Sequence, residues 1–189
     1  FEREEKLVFG SDEKSIDLTA KYIQSLKTIN NQTAGTSFVS LLGIFNIVLN
    51  YVSKQDDFII GIHTAGQLDI GVTNLVGYYV NLLPLRAKID DQTSLQNYLK
   101  EVRRKMFEIY KYQNYPLGKL TKKLKPKRVI GKSPMISVVF NSFKANEKEN
   151  FGNLTAETKI NPSRFARFDL SLNLLEWDNK IECSLEYNN

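Results

Sequence analysis

The order of sequence patterns predicts an α/β fold of the α+β kind, a mixed β-sheet with helices packed on it. Two helical periods near the start give way to short, unbroken apolar runs bounded by turn residues, and a third, longer helical period follows. The chain closes on two alternating segments joined by the short turn WDNK, which is the signature of a hairpin.

Taken in order, a short strand is expected over residues 6–10 and a turn over 11–14. Ile16, Ala20, Ile23 and Leu26 or Lys27 recur at helical spacing and predict an amphipathic helix ending near Asn30 and Asn31. After the polar turn NQTAG, Thr36 or Ser37 can cap a second helix. Its Phe38, Leu41, Leu42, Phe45, Val48, Leu49 and Val52 form a wide apolar face, expected to be largely buried. The run FIIGI, residues 58–62, is short, β-branched and flanked by polar turns, so it reads as an interior strand, with a loop over 63–75 behind it.

Residues 76–86, VGYYVNLLPLR, read as a strand in which Tyr78, Val80 and Leu82 point one way and Tyr79, Asn81, Leu83 and Leu85 the other. Both faces are apolar apart from Asn81, so the strand is expected to be buried on both sides, while Pro84 argues for an edge or a bulge near its end. A buried amide without partners costs about 1–3 kcal/mol. Asn81 is therefore either satisfied by its neighbours, as a structural amide bonded to backbone, or kept for a ligand.

Thr93 or Ser94 caps a long helix to about Tyr112, with Leu95, Leu99, Val102, Met106, Ile109 and Tyr110 as its inward stripe. Met106 belongs to that stripe and not to a cofactor site. Pro116 starts a short helix to Leu124, and Pro126 stops it. Residues 136–143 alternate as a strand with one apolar and one mixed face. The 24 residues 144–167 are polar and poorly periodic, too long for an ordinary connection, and are expected to be a functional excursion or arm. Residues 168–176 and 181–187 form the closing hairpin, placing Cys183 in apolar company.

With 189 residues, 42% hydrophobic and 11% aromatic, the chain can bury one core and reads as a single domain over 1–189. The densest apolar run, residues 38–52, carries Ser40, Gly43, Asn46 and Asn50 and is too short to span a bilayer. The N-terminal FEREEK does not look like a secretion signal. A single cysteine excludes an internal disulfide and points to a reducing cytoplasm, where the sequons at Asn31 and Asn153 are chance matches. The net charge of +5 is concentrated between Lys119 and Lys132, with seven basic residues and no acid. No aromatic interrupts residues 117–134, which argues against nucleic acid and for a solvated face, an acidic protein partner or a phosphate-bearing arm.

No complete catalytic constellation is present. Gly131-Lys132-Ser133 lacks the earlier glycine of a phosphate loop, since Pro126 stands there, and Pro134 blocks the helix that should follow. His63 is the single histidine, which excludes a two-histidine metal site, and it reads as a strand-end residue making local hydrogen bonds. No metal site and no directly bound cofactor are expected.

Several spaced motifs carry a resemblance. VGYYVNLLPLR resembles the (I/V)GxFVN…R signature of condensation domains in nonribosomal peptide synthetases, with Tyr79 for the usual Phe and Arg86 as its arginine. QDDFIIGIHTAGQ is similar to the family's QDD…GTPVAGR, departing at His63 and Gln67. YQNYPLGKL resembles (H/N)QDYPFE through Gln113, Tyr115 and Pro116 and departs at Tyr112, Asn114, Leu117 and Gly118. KSPMISVVFN resembles SPLFQVMFN, while FDLSLNLLE and SLEYNN resemble FDLTLNLTE and SLEYNTDLF.

The resemblance implies a chloramphenicol acetyltransferase-like lobe, the C-terminal subdomain of a two-lobed condensation domain. The family's HHxxxDG catalytic motif belongs to the other lobe and does not occur here, so no catalytic residue is expected in this chain and the isolated piece should be inactive. It further implies a peptide-bond-forming enzyme of peptide antibiotic biosynthesis, with VGYYVN fitting condensation better than heterocyclising or epimerising relatives. Donor and acceptor thioesters ride on the phosphopantetheine of peptidyl carrier proteins and meet between the lobes, with an adenylation domain adjacent. Gly77, Tyr79, Asn81, Ser137 and Asn141 are implied on the tunnel wall, residues 144–167 as the arm crossing to the other lobe, and residues 63–75 as the tunnel floor. Lys122 and Lys123 are candidates for carrier docking. Two alternatives stay open: a noncatalytic carrier-binding platform of the same fold, and a basic polyanion-binding domain.

Overall fold

The structure is a computed structural model that describes residues 10–65, 77–127, 133–144, 150–152, 154–155, 164–177 and 180–188. The chain runs β1 (Ser11–Leu18), α1 (Ala20–Thr33), α2 (Ser37–Ser53), β2 (Asp57–Ala65), β3 (Val80–Lys88), α3 (Leu95–Tyr110) and α4 (Leu117–Leu124). It continues through β4 (Val138–Lys144), the two-residue strands β5 (Asn150–Phe151) and β6 (Leu154–Thr155), then β7 (Leu170–Glu176) and β8 (Ile181–Asn188). Six strands form one mixed sheet in the order β1-β8-β7-β4-β2-β3, in which β2, β4 and β7 run parallel and the outer strands antiparallel. This is the α/β architecture that the sequence predicts.

Local signals place the helices. The Thr36 side chain accepts from the Val39 N–H and starts α2, and left-handed Lys54 ends it. Ser94 caps α3 in the same way, Pro116 precedes α4, and left-handed Lys125 closes it just before Pro126. Helices α2 and α3 pack Val39, Leu42, Phe45, Tyr98, Val102 and Met106 on one face of the sheet, against Ile60, Ile62, Leu85, Phe140 and Leu174. Met106 sits in this core, as expected. The apolar face of α2 is buried only over its first half; Val48, Tyr51 and Val52 are exposed. Tyr98, which the stripe omitted, is buried, whereas Leu95 and Tyr110 are exposed. No single helix among the described residues is long and apolar enough to cross a membrane.

Three expectations need correction. The turn at 11–14 and the first turn of the expected helix, around Ile16, are instead β1, which pairs with β8 along its whole length and sets Ile16, 65% exposed, opposite Cys183, while the rest of that helix forms as α1. Interstrand hydrogen bonds from the far end of the chain override the local helical spacing. Strand β3 is not buried on both sides: it is the sheet edge, as Pro84 indicated, and Tyr78 ahead of it is 85% exposed. Strand β2 runs through His63 to Ala65, so those residues are strand and not loop. The expected strand at 6–10 lies outside the described residues except for Gly10, which bridges to Phe165. Residues 66–75 of the expected loop, residues 128–132 including Lys132, and most of the 144–167 segment also lie outside them.

Candidate functional site

Strands β2 and β4 pair over three residues only, Ile60–Val138 to Ile62–Phe140. Beyond that point each follows its outer neighbour, β2 staying on β3 as far as Ala65–Val80 and β4 on β7 as far as Lys144–Glu176. The sheet therefore forks at the carboxyl ends of its parallel strands, the place where open α/β sheets bind ligands. On the helix side the fork opens into a cleft of about 770 Å³ lined by Thr64, Ala65, Ser142, Lys144 and Glu176, with Thr36 and Ser37 at the start of α2.

The fork holds polar atoms that the protein leaves unsatisfied. Thr64 is 7% exposed and its Oγ1 has no hydrogen-bond partner, and His63 Nδ1 is buried in the same condition. An orphaned buried polar group costs about 1–3 kcal/mol, a burden that a bound ligand would relieve. Ser142 Oγ donates to a Glu176 carboxylate oxygen at 2.6 Å, which fixes the far wall. Burial pushes the Tyr110 hydroxyl up from its ordinary pKa, so it stays protonated at the cleft mouth as a donor.

A second cleft of about 960 Å³ lies on the opposite face, between α4 and β3, lined by Val80, Leu82, Thr121, Arg167 and Phe168 and again by His63. His63 thus borders both clefts. Its ring stands edge-on to Phe168 at 6.4 Å between centroids. Burial, reinforced by the Arg167 cation, holds the imidazole below its ordinary pKa, so it is neutral at pH 7. Stability contributed by this neutral form is complete above the unfolded value near 6.5 and is lost as pH falls from there through the folded pKa. Replacing Arg167 with glutamine removes the secondary cause and should raise the pKa of His63 part of the way back. Because His63 is the single histidine, its imidazole resonances report this in an NMR titration without assignment ambiguity.

The five implied wall residues are not gathered on one surface. Asn81 opposes Thr64 on the helix side of β3, and its Nδ2 donates to the Gln113 carbonyl at 2.9 Å. The backbone-bonded reading of that amide is the one realised. Ser137 and Asn141 lie on the opposite face. Ser137, whose carbonyl receives the Asp169 N–H, sits at the amino end of β4, while Asn141 sits in the fork beside Asn173 of β7. Gly77 precedes β3, and a Cβ there would come within 2.9 Å of the Tyr79 ring, so the glycine lets that ring lie against the backbone.

The motif residues hold one another. Arg86 clamps Asp57 with two hydrogen bonds, Nε to Oδ1 at 2.8 Å and Nη2 to Oδ2 at 2.6 Å, tying the end of β3 to the start of β2. This pairing holds the Asp57 carboxyl below its usual range. Through Gln113, Asn81 pins the α3–α4 turn, where Tyr115 donates its N–H to the Tyr112 carbonyl and the Pro116 carbonyl receives the N–H groups of Lys119 and Leu120. Asn81→Ala should cost about 0.5–1.5 kcal/mol and speed amide exchange at Lys119 and Leu120 relative to the core strands. Equal exchange in both proteins would show that the bond does not anchor α4.

The sequence placed His63 and Thr64 only within the implied floor at 63–75 and read His63 as making local hydrogen bonds, whereas its Nδ1 is buried without a partner. Lys122 and Lys123 occupy the last turn of α4, where cations also suit the helix dipole. Among the described residues no group of three or more His, Cys, Asp or Glu side chains could hold a metal ion. Cys183 is a half-buried free thiol, and burial pushes its pKa up, which disfavours the nucleophilic thiolate.

Comparison with known proteins accounts for these motifs. The chain is 29% identical over 188 residues to surfactin synthase subunit 2 of Bacillus subtilis (strain 168), covering 99% of this chain and 5% of that protein. It is 28% identical over 167 residues to gramicidin S synthase 2 of Brevibacillus brevis, covering 87% of this chain and 4% of that protein. It thus spans about a twentieth of the length of these relatives. Among solved structures, a four-domain nonribosomal peptide synthetase bound to AMP and glycine superposes with a TM-score of 0.85 at 18% identity, covering 94% of this chain and 15% of that one. The X-domain from teicoplanin biosynthesis gives 0.82 at 16% identity, covering 100% and 44%. The family model described as a condensation domain matches residues 2–189, so the chain belongs to the condensation domain family.

Proposed function

We propose that this chain is the C-terminal lobe of a condensation domain and forms one wall of a chamber where peptide bonds are made between carrier-bound thioesters. The match of the condensation domain family across residues 2–189 carries this reading. In that reaction the acceptor amine attacks the donor thioester carbonyl. The C–N bond forms, the C–S bond breaks, and the proton lost by the amine is balanced by the one gained by the sulfur as the carrier thiol leaves. With one histidine and no HHxxxDG in its sequence, the chain contributes binding and orientation, and the proton-handling group belongs to the other lobe. Positioning two held reactants supplies a large part of the acceleration.

The forked sheet supports this role, since it offers unpaired strand edges and the free hydroxyl of Thr64 to an extended, amide-bearing arm. Asn81 serves by anchoring α4, with Gly77 and Tyr79 shaping the approach to β3. Asn141 is the neutral amide placed to orient a carbonyl, and Ser137 steadies the base of its strand. Residues 144–167 would cross to the other lobe and residues 63–75 would floor the tunnel. The partners are the N-terminal lobe, peptidyl carrier proteins and an adenylation domain, and unpaired Cys183 suits a reducing cytoplasm.

The test uses the complete protein with separately loaded donor and acceptor carriers, following the condensed product by mass spectrometry. Product is expected from the complete protein and none from the 189-residue chain alone. Amide formation by the isolated chain would overturn the assignment. Lys122→Glu with Lys123→Glu should weaken carrier binding and steepen its loss with salt if α4 receives an acidic carrier.

A noncatalytic platform is the second reading. One observation favours it: the same fold superposes with a TM-score of 0.83 on the X-domain solved in complex with OxyB. An intact HHxxxDG in the other lobe would reject it.

A further inference from the structure

The cleft between α4 and β3 has an apolar floor and two cations, Lys125 and Arg167, that the proposed function leaves unexplained. Its floor is apolar, formed by Val80, Leu82 and Phe168, and Lys122, Lys125 and Arg167 stand around it with no aspartate or glutamate among its lining residues. None of these three cations forms an ion pair among the described residues. The dipole of α4 gives Lys122 a local reason to be where it is, since it lies in the last helical turn. Arg167 has no such reason. Its guanidinium lies 5.7 Å from the Phe168 ring centroid, so it is held over the cleft floor with its donors still available. His63 adds an imidazole whose Nδ1 is buried without a partner.

We propose that this cleft binds an oxyanion carried on an apolar body, a carboxylate or phosphate whose tail lies along Val80, Leu82 and Phe168 while its head meets Arg167 and Lys125. A planar guanidinium suits such a head because it can donate two parallel hydrogen bonds. The apolar floor makes bare inorganic phosphate a poor occupant, because it gives no return for desolvating the floor. Two natural sources share this chemistry: an acyl or aminoacyl substrate bearing its own carboxylate, and the phosphate end of a pantetheine arm. The oxyanion site is read from the cleft itself, while the naming of these two sources rests on the proposed function.

The experiment is an NMR and calorimetric titration of the full chain at low salt, with His63 as the reporter resonance. Two matched probe pairs are compared, 4-phenylbutyrate against 4-phenylbutanamide and 4′-phosphopantetheine against pantetheine. In at least one pair the charged member should bind about tenfold or more tightly than its neutral partner and shift the His63 signals. That preference should fall to about onefold in Arg167→Gln with Lys125→Gln, two exposed positions whose loss leaves the core untouched. Preference in the first pair identifies a substrate carboxylate, and preference in the second identifies the arm. Equal binding within both pairs would overturn the proposal, and so would a preference that survives the double substitution. Neither outcome touches peptide-bond formation with neutral substrates, so failure here is separable from failure of the proposed function.

Discussion

Phe140→Ala is expected to remove about 3–5 kcal/mol of stability, a large share of the roughly 5–15 kcal/mol that holds a typical domain folded. Phe140 is fully buried at the middle of β4, with the Phe38 ring edge-on at 5.1 Å and the Phe45 ring at 6.0 Å. Strand β4 is flanked by β2 and β7, so neither neighbour can collapse into the vacated space without breaking a ladder. The loss therefore includes a cavity as well as transfer free energy. Urea denaturation should show a lower midpoint with an unchanged slope. Phe143→Ala, three residues along at a 50% exposed position, is the internal control and should change stability by no more than about 0.5 kcal/mol. If both substitutions shift the midpoint equally, the core does not lie where the sheet places it.

Leu99→Ala should cost about 2–5 kcal/mol, and Gly43→Ala should partly rescue it, although Gly43→Ala alone is unfavourable. Gly43 on α2 faces Leu99 on α3 so closely that a Cβ at 43 would lie 2.3 Å from Leu99 Cδ2. In the natural protein, adding that methyl forces a fully packed leucine to move. Overpacking of this kind costs about 1–3 kcal/mol, against about 1 kcal/mol gained from the better helix former. Once Leu99 is truncated, the methyl enters space already vacated and both terms become favourable. The sign of the Gly43 substitution thus reverses with its partner, and a double-mutant cycle should return a coupling of about 1–3 kcal/mol. Additive free energies would mean that α2 and α3 do not meet at this pair.

Local order was legible in the residues. Thr36, Ser94, Pro116 and Pro126 mark helix ends because a cap or a missing N–H acts within one turn of where it stands, and the closing hairpin is set by alternation around WDNK. The motifs also announced the family. Their reason was not visible: Arg86 meets Asp57 across 29 positions, and Asn81 meets the Gln113 carbonyl across 32. The amide that a lone strand leaves open between a backbone partner and a ligand is a fastener once α4 is in place. The apolar content of 76–86 likewise suggested a strand buried on both sides, whereas a sheet needs an edge and Pro84 fills that position without losing a ladder donor.

Apart from β1, the amino-acid sequence by itself determined which segments coil and which extend, where most of them stop, and which family shares their motifs, since periodicity, capping and proline chemistry act over a few residues. Only the tertiary structure decided that β1 is a strand, that β2 and β4 part after Ile62 and Phe140, and that His63 and Thr64 are left with unpaired polar atoms at the fork. Those outcomes depend on which distant segment arrives alongside. A backbone hydrogen bond, a satisfied amide or an orphaned hydroxyl is a property of a pair of neighbours, and the chain order does not name the second member.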